Sequence, residues 1–213
     1  DCPPAELRAM PEALKRVQAV KNFRLASKSA PTRKLADTPT RFHVENMPGT
    51  SYLLLPRVSS ERRSWVPIGF VDCETLTSDS ALMTAGATLF HFGVLSSTMH
   101  NAWVRAVCGR LESRYRYSAA IVYNNFPWPD LPPKSEPNRP PAPVHKAQAA
   151  IETAAQAVLD ARAQFPASSL ADLYDPLTMP PVLLKAHHKL DAAVDAAYAL
   201  VGGKKTWKND AER

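Results

Sequence analysis

The chain has 213 residues, of which 45% are hydrophobic, so it is not a disordered protein and is long enough for one large or two small domains. Its net charge of +6 permits a polyanionic partner without requiring one. Three scattered cysteines exclude a disulfide framework, and no apolar run is long enough to predict a membrane-spanning helix. Because the chain begins Asp1-Cys2-Pro3, without an initiator Met or a signal peptide, we expect a fragment of a longer cytoplasmic protein.

The first predicted element is a helix over residues 3–20. The chain enters it through prolines, and Pro11 is expected to kink or split it because proline removes an interior hydrogen bond. Its apolar residues recur at helical spacing and are Leu7, Met10, Leu14 and Val17. Residues 22–41 are polar and basic, and we predict turns there.

Four or five short strands are predicted next, separated by turn signals at Pro48-Gly49 and Gly86. The candidate segments are 42–47, 51–58, 64–71, 81–83 and 87–95. Strands of this length and spacing indicate a small, mostly antiparallel β unit.

A helix over residues 97–111 follows, with Ser97 or Thr98 as its N-terminal cap. Its apolar face is predicted to consist of His100, Trp103, Val104, Val107, Cys108 and Leu111. We interpret Cys108 as a small core residue and His100 as a packed helix residue rather than a metal ligand.

The last third of the chain begins with eight prolines among residues 127–143, which predict a stiff linker. Two alanine-rich helices follow at 144–165 and 182–201, the second ended by Gly202-Gly203, and they indicate an antiparallel helical hairpin. The predicted fold class is therefore α+β, with a small, mostly antiparallel β domain and flanking helices ahead of a C-terminal helical hairpin.

Positive charge is concentrated between Lys15 and Arg63, where eleven Lys and Arg residues stand against three acids. A solvated basic surface and a surface that faces phosphate groups both explain this excess. We identify no glycine-rich phosphate loop and no catalytic triad, and we assign no catalytic or metal-binding residue to the chain, His187-His188 included. The segment NNFPWP (124–129) has Phe where a base-gripping Asn-Pro-Pro-aromatic motif has proline, so we interpret it as a packed aromatic plug.

The segment GRLESRYRYS (109–118) alternates in a way that is unusual for the end of a helix. If it is extended from Glu112 onward, Glu112, Arg114 and Arg116 project from one face and the tyrosines from the other. Arginine can donate two hydrogen bonds to guanine, and glutamate can accept one from cytosine, so a neighbouring pair can satisfy both edges of one C·G pair. A surface salt bridge without a ligand is the alternative.

Four long segments together resemble the C-terminal part of large single-chain DNA methyltransferases of the MmeI-like restriction–modification family. They cover most of the chain and read FRLASKSAPTRKLADTPTRFHVENMPGTSYLLLPRVSSERRSWVPIGF, NAWVRAVCGRLESRYRYS, IVYNNFPWP and AAQAVLDARAQFPASSLADLYDPLTMPP. The resemblance implies a DNA target-recognition domain over residues 1–133, then a proline-rich linker and C-terminal helical domain over 134–213.

The resemblance also implies the partners and the site. The parent protein would be an adenine-N6 methyltransferase whose N-terminal methyltransferase domain, absent from this chain, uses S-adenosylmethionine; whether it also cleaves DNA is left open. The chain itself would bind double-stranded DNA without a cofactor. Glu112 and Arg114 would read one base pair, and Arg116 would read a neighbouring base with a partner near Ser80. Phosphates would be held by Lys28, Arg33, Lys34, Arg62 and Arg63.

Two other functions remain open from the residues alone. The helical hairpin could be the working part of a protein-interaction module, with an incidental basic patch. Alternatively, Trp65, Tyr115 and Tyr117 could stack on RNA bases. The positions of these aromatic residues are predicted to be buried, which weighs against stacking.

Overall fold

The structure is a computed structural model that describes residues 2–43, 46–131, 142–204 and 207–213. It divides the chain into two compact units, Asp1–Met47 and Pro48–Arg213. Within the described ranges, none of the helices combines the length and the apolar character needed to cross a membrane.

The first unit is helical. Its helices are α1 (Pro4–Arg8), α2 (Pro11–Leu25) and α3 (Ala30–Lys34), and a 3-10 turn follows at Leu35–Asp37. Pro11 splits the predicted helix, as expected, because it stands at the first position of α2, where its missing N–H costs nothing. The prediction of turns throughout 22–41 was wrong, since α2 continues to Leu25 and α3 lies within that stretch.

Polar contacts rather than a hydrophobic core organise the first unit. The predicted apolar face is not buried, as Met10 is 45% exposed and Leu14 40% exposed. Instead, the guanidinium of Arg24 donates hydrogen bonds to the backbone carbonyls of Leu35, Thr38 and Arg41. Arg24 thus ties the end of α2 to the segment that follows α3.

The second unit contains two small antiparallel sheets, which agrees with the predicted α+β class. Its strands are β1 (Tyr52–Pro56), β2 (Val58–Ser59), β3 (Gly69–Val71), β4 (Ala81–Ala85), β5 (Gly109–Leu111) and β6 (Arg114–Arg116). One sheet has the order β3-β1-β4 and the other the order β2-β6-β5. Strands β1 and β2 are nearly continuous in sequence but belong to different sheets, so residue 57 marks the crossing point.

The strand predicted at 87–95 was wrong, because this segment forms helix α4 (Leu89–Leu95). The side chains of Thr88 and His91 form a capping box that starts the helix. The helix also packs closely against its surroundings at Gly93. A Cβ atom added there would lie only 2.6 Å from Ile151 Cγ2, which is too close for a real contact. Glycine therefore lets α4 approach a neighbouring helix more closely than any larger residue would.

Two further strand predictions need correction. Only Gly69–Val71, the end of the predicted strand 64–71, forms a strand. In the predicted strand 42–47, residues 42, 43, 46 and 47 are not in a strand, and residues 44 and 45 lie outside the described part of the chain.

Helix α5 (Thr98–Val107) begins as predicted and ends earlier than predicted. The Ser97 side chain caps it by accepting a hydrogen bond from the backbone N–H of His100. The helix stops at Cys108, which takes an extended conformation and is half-buried. His100 is fully buried, as interpreted from the sequence, whereas Leu111 leaves the predicted apolar face and is 42% exposed in β5.

The C-terminal helices form the predicted hairpin. They are α6 (Ala142–Ala163) and α8 (Pro181–Leu200), with the short α7 (Leu170–Leu173) between them. Fully buried residues on their facing sides include Ile151, Val158, Leu183, Leu190 and Val194. Most of the proline-rich linker, residues 132–141, lies outside the described residues.

A buried carboxylate joins α8 to the β-containing part of the second unit. Asp191 accepts hydrogen bonds from the indole N–H of Trp65, at 3.2 and 3.3 Å, and from the backbone N–H of Thr98, at 2.7 Å. Asp191 is 9% exposed and Trp65 4% exposed. One side chain of α8 therefore fixes both the start of α5 and the loop that carries Trp65.

Candidate nucleic-acid interface

Strands β5 and β6 form a hairpin whose exposed face carries two arginines. Cross-strand partners share a face, and Leu111 pairs with Arg114 while Gly109 and Val58 pair with Arg116. The opposite face carries Tyr115, which is 6% exposed. Burial of the tyrosine fixes the orientation of β6, so Arg114 and Arg116 both project into solvent.

The alternation predicted from the sequence therefore holds for the two arginines, but Glu112 needs correction. Glu112 is not extended: it is the first residue of a two-residue turn, with a φ of 58°. Its carboxylate nevertheless accepts a hydrogen bond from Arg114 Nη2 at 2.8 Å. The acid and the arginine lie side by side as expected, although the turn rather than a shared strand face brings them together.

The positive φ at Glu112 is uncommon for a residue with a side chain. The left-handed region costs about 1–2 kcal/mol for such a residue, and hairpin turns usually fill it with Gly, Asn or Asp. Strained backbone of this kind is concentrated at functional sites. The strained backbone therefore makes Glu112 a candidate functional residue.

Arg110 supports the hairpin from its other face, a role that the sequence analysis missed. Its guanidinium lies over the Tyr115 ring, 4.1 Å from the centroid, and donates a hydrogen bond to the Ser113 carbonyl at 3.2 Å. The arginine thereby holds the turn that presents Glu112.

A groove of about 720 Å³ opens beside the exposed face of the hairpin. It is lined by Pro56, Arg57, Val58, Asp79, Ser80, Leu111 and Arg116. Ser80 and Arg116, which the sequence analysis placed close together, thus line one groove. Backbone hydrogen bonds hold this arrangement, since the Arg57 N–H donates to the Ser80 carbonyl and the Tyr117 N–H donates to the Arg57 carbonyl.

Five groove residues were missed by the sequence analysis: Pro56, Arg57, Val58, Asp79 and Leu111. Arg57 and Asp79 belong to connections between strands, so no local periodicity links them to the hairpin. Asp79 stands next to Ser80 in the chain, and that proximity was the available signal. Leu111 was assigned to a helix face instead.

The predicted phosphate-binding residues are divided between the two units. In the first unit Lys28 and Lys34 are exposed, whereas Arg33 Nη1 donates to the carbonyls of Ser27 and Lys28, each at 2.9 Å. In the second unit Arg62 is exposed and Arg63 is half-buried.

Buried polar groups stiffen the support beneath the hairpin. His100 Nε2 lies 3.0 Å from the Tyr117 hydroxyl, and its Nδ1 lies 3.0 Å from the Leu95 carbonyl. Burial lowers the pKa of His100 to about 3 and raises the pKa of Tyr117 above its ordinary value. Both side chains are therefore neutral at pH 7, and they join α5 to the segment after β6 without placing a charge in the core.

The segment NNFPWP packs as the aromatic plug interpreted from the sequence. Phe126 is 5% exposed, and its ring centroid lies 5.4 Å from that of Trp128 and 4.8 Å from that of His100.

In the part of the chain that the structure describes, no three His, Cys, Asp or Glu side chains are grouped so that they could hold a metal ion.

Comparison with known proteins gives two family matches. The model of the MmeI target recognition domain matches residues 1–130, and that of the MmeI C-terminal domain matches residues 144–213.

Two individual proteins are similar to nearly the whole chain. DNA methyltransferase A from Bacillus subtilis (strain 168) is 36% identical over 208 residues, which are 98% of this chain and 22% of that protein. A solved structure of the type IIL restriction-modification enzyme MmeI in complex with DNA is 48% identical, with a TM-score of 0.81, and the match covers 99% of this chain and 26% of that one. The chain thus spans about a quarter of the length of each relative.

These matches confirm the resemblance inferred from the sequence. Together with the hairpin and the arrangement of the two sheets, they establish that the chain belongs to the MmeI family and carries its target recognition and C-terminal domains.

Proposed function

We propose that this chain reads the target sequence of a longer DNA adenine-N6 methyltransferase of a restriction–modification system. The observation that carries the proposal is the exposed hairpin face, where Glu112, Arg114 and Arg116 are held above buried tyrosines. A two-stranded β ribbon of this kind fits the major groove of B-DNA, where each base pair presents a distinct pattern of donors and acceptors. The similarity to MmeI, whose solved structure contains DNA, supports the same assignment.

Glu112 and Arg114 have the chemistry to read one C·G pair. The arginine donates to guanine O6 and N7, and the glutamate accepts from cytosine N4. The hydrogen bond of 2.8 Å between the two side chains holds them next to each other before DNA arrives. The two groups are thus already adjacent when they meet a base pair.

Arg116 and Ser80 would read a second base pair from the groove. Residues two apart in a strand are separated by about 6.6 Å, which is close to two base-pair steps of about 3.4 Å. Arg116 would therefore contact a pair about two steps from the one read by Arg114. The Ser80 hydroxyl, which can donate or accept, would complete that contact.

Phosphate contacts would be supplied by Lys28, Arg33, Lys34, Arg62 and Arg63, which set the register but read no sequence. Lys28, Lys34 and Arg62 are exposed. We assign them the larger share, because Arg33 already bonds two carbonyls and Arg63 is half-buried.

S-Adenosylmethionine is assigned to the N-terminal methyltransferase domain of the parent, which is also the proposed partner of this chain within the same protein. We assign none of the residues described here to the cofactor. We place the protein with its DNA substrate in the cytoplasm.

Burial of the aromatic residues argues against the RNA-binding alternative. Trp65, Tyr115 and Tyr117 are 4%, 6% and 3% exposed, so none of their rings offers a surface for base stacking. The hairpin of α6 and α8 buries its inner face against α4, so its packing is explained without a protein partner.

The proposal is tested by mapping methylated adenines in DNA from cells that express the complete enzyme. We expect one recurring sequence that contains the modified adenine. Arg116→Ala should relax the requirement for a single base pair of that sequence, while Arg8→Ala, an exposed arginine of α1, should leave it unchanged. Methylation without a recurring sequence, or with a sequence insensitive to Arg116, would contradict the proposal.

A further inference from the structure

An exposed leucine lies across from Arg114 on the proposed base-reading face. Leu111 is 42% exposed in β5, and Arg114 is its cross-strand partner, so their side chains share the solvent face of the hairpin. Leu111 also lines the groove that contains Arg116 and Ser80. The recognition face therefore has an apolar position inside a set of charged and polar ones.

The surroundings of Leu111 do not bury it in the core. The core side of β6 is occupied by Tyr115, and the cross-strand partner of Tyr115 on that side is Arg110 rather than Leu111. On the exposed face, Gly109 stands opposite Arg116 and supplies no side chain that could cover the leucine. The half-buried Val58 and Pro56 extend the apolar strip along one wall of the groove.

We propose that Leu111 is a further specificity-determining residue, which contacts the C5 methyl group of a thymine. This inference rests on the proposed DNA-reading function. The thymine methyl is the apolar group that base edges present in the major groove, and apolar side chains are its usual partners. A leucine on a face otherwise equipped for hydrogen bonding matches that group.

The spacing locates the thymine. Opposite residues of an antiparallel pair have Cβ atoms about 4.5–5.5 Å apart, and successive base pairs are separated by about 3.4 Å. Leu111 therefore lies beside Arg114 across the ribbon. Because the pair assigned to Glu112 and Arg114 is C·G, which has no thymine, we place the thymine in a base pair adjacent to it.

The test uses the complete enzyme and duplexes that contain its mapped site. Each thymine is replaced in turn by deoxyuridine, which lacks only the C5 methyl group. At one thymine, in a pair adjacent to the one assigned to Glu112 and Arg114, the replacement should weaken binding about fourfold, which corresponds to one buried methyl group. Leu111→Ala should bind the thymine and deoxyuridine duplexes equally.

Leu76→Ala is the matched control, because Leu76 is 49% exposed and does not line the groove. It should retain the fourfold difference. A site without an adjacent thymine, or one whose thymine methyl can be removed without loss, would overturn the role of Leu111 while leaving sequence-specific binding intact. If the wild-type enzyme binds no specific site at all, the proposed function fails instead, so the two failures are distinguishable.

Discussion

The carboxylate of Glu112 lies 2.8 Å from Nη2 of Arg114, although the first residue is in a turn with a φ of 58° and the second in a strand. The side chains are 75% and 45% exposed, so the ion pair contributes little to stability, about 0–1 kcal/mol. The left-handed backbone at Glu112 costs about 1–2 kcal/mol. The local free energy therefore does not favour glutamate at this position, which supports the proposed recognition role.

Exchanging the two charges should change one base pair of the recognition sequence. In the double variant Glu112→Lys with Arg114→Asp, the donor and the acceptor trade places, so a C·G pair should be replaced by G·C at a single position. The measurement is the mapping of methylated sites for the wild-type and variant enzymes.

The single change Glu112→Lys is the control for the exchange, since it places a lysine beside Arg114 and should abolish most specific binding. Each single replacement should reduce discrimination at that position by about 1–3 kcal/mol. If the pair were only a salt bridge, the active double variant would retain the original site.

Replacing Glu112 by glycine should separate stability from recognition. Glycine adopts positive φ freely but is more flexible when unfolded, so we expect the free energy of unfolding to stay unchanged or to rise by up to about 1 kcal/mol. Discrimination at the Glu112 base pair should nevertheless be lost. Chemical denaturation of the 213-residue chain measures the first quantity, and site mapping measures the second.

Gly86 provides the matched control, because its φ is 66° and no atom lies within 4 Å of the position of its missing Cβ. Gly86→Ala should destabilise the chain by about 1–2 kcal/mol through backbone strain alone. A large loss of stability in Glu112→Gly would mean that the carboxylate has a structural role.

Removing exposed cations should reduce the salt dependence of DNA binding uniformly across sequences. The triple change of Lys28, Lys34 and Arg62 to alanine should flatten the log–log salt slope by up to about 2.7, at about 0.9 per phosphate. Titrations of the complete enzyme on specific and random duplexes provide the measurement. The same substitution at Lys185, Lys189 and Lys208, which are also exposed, should leave the slope unchanged.

Stability should fall as pH decreases from about 6.5 toward 3. Burial lowers the pKa of both His100 and His187 to about 3, from the model-compound value of 6.5. Between these values the unfolded chain binds more protons, so each histidine costs about 1.4 kcal/mol per pH unit as the pH falls. Because the unfolded histidines are already half protonated at pH 6.5, the two together predict a loss of about 3 kcal/mol between pH 6.5 and 5.

Asp191 acts in the opposite direction, because burial raises its pKa and its contribution to stability increases as pH falls through the folded value. Denaturation curves at pH 7 and 5 measure the net change in the free energy of unfolding that the two histidines and Asp191 produce together. His100→Gln should remove about half of the loss, whereas replacement of the exposed His43 by glutamine should remove none. A stability independent of pH in this range would contradict the burial of neutral histidines.

The orientation of the hairpin was predictable, but its turn was not. Alternation of Tyr115 and Tyr117 with arginines fixed which face is buried, and 6% and 3% exposure confirms it. The same alternation fits a continuous strand and a two-residue turn equally well, so Glu112 was placed in the strand. Of the groove, only the proximity of Arg116 and Ser80 was expected, from the family resemblance, because Arg57 reaches it through pairing between distant segments.

The strand predicted at 87–95 shows a different limit. A short apolar run has the same pattern in a buried strand and in a buried helix, because neither has a polar face. The deciding contacts are the cap between Thr88 and His91 and the close approach of Gly93 to Ile151. The cap is local and could have been recognised from the sequence. The contact of Gly93 depends on Ile151, which lies 58 residues further along the chain.

The hydrogen bonds of Asp191 constrain how specificity can be exchanged between relatives. Asp191 belongs to the region matched by the C-terminal domain, whereas Trp65 and Thr98 belong to the region matched by the target recognition domain. A graft of only residues 48–130 from a relative that has no tryptophan at position 65 would remove one donor of this buried carboxylate, at a cost of about 1–3 kcal/mol. A graft of residues 48–213 instead carries Asp191 together with both of its donors, so this buried hydrogen-bonded carboxylate stays intact.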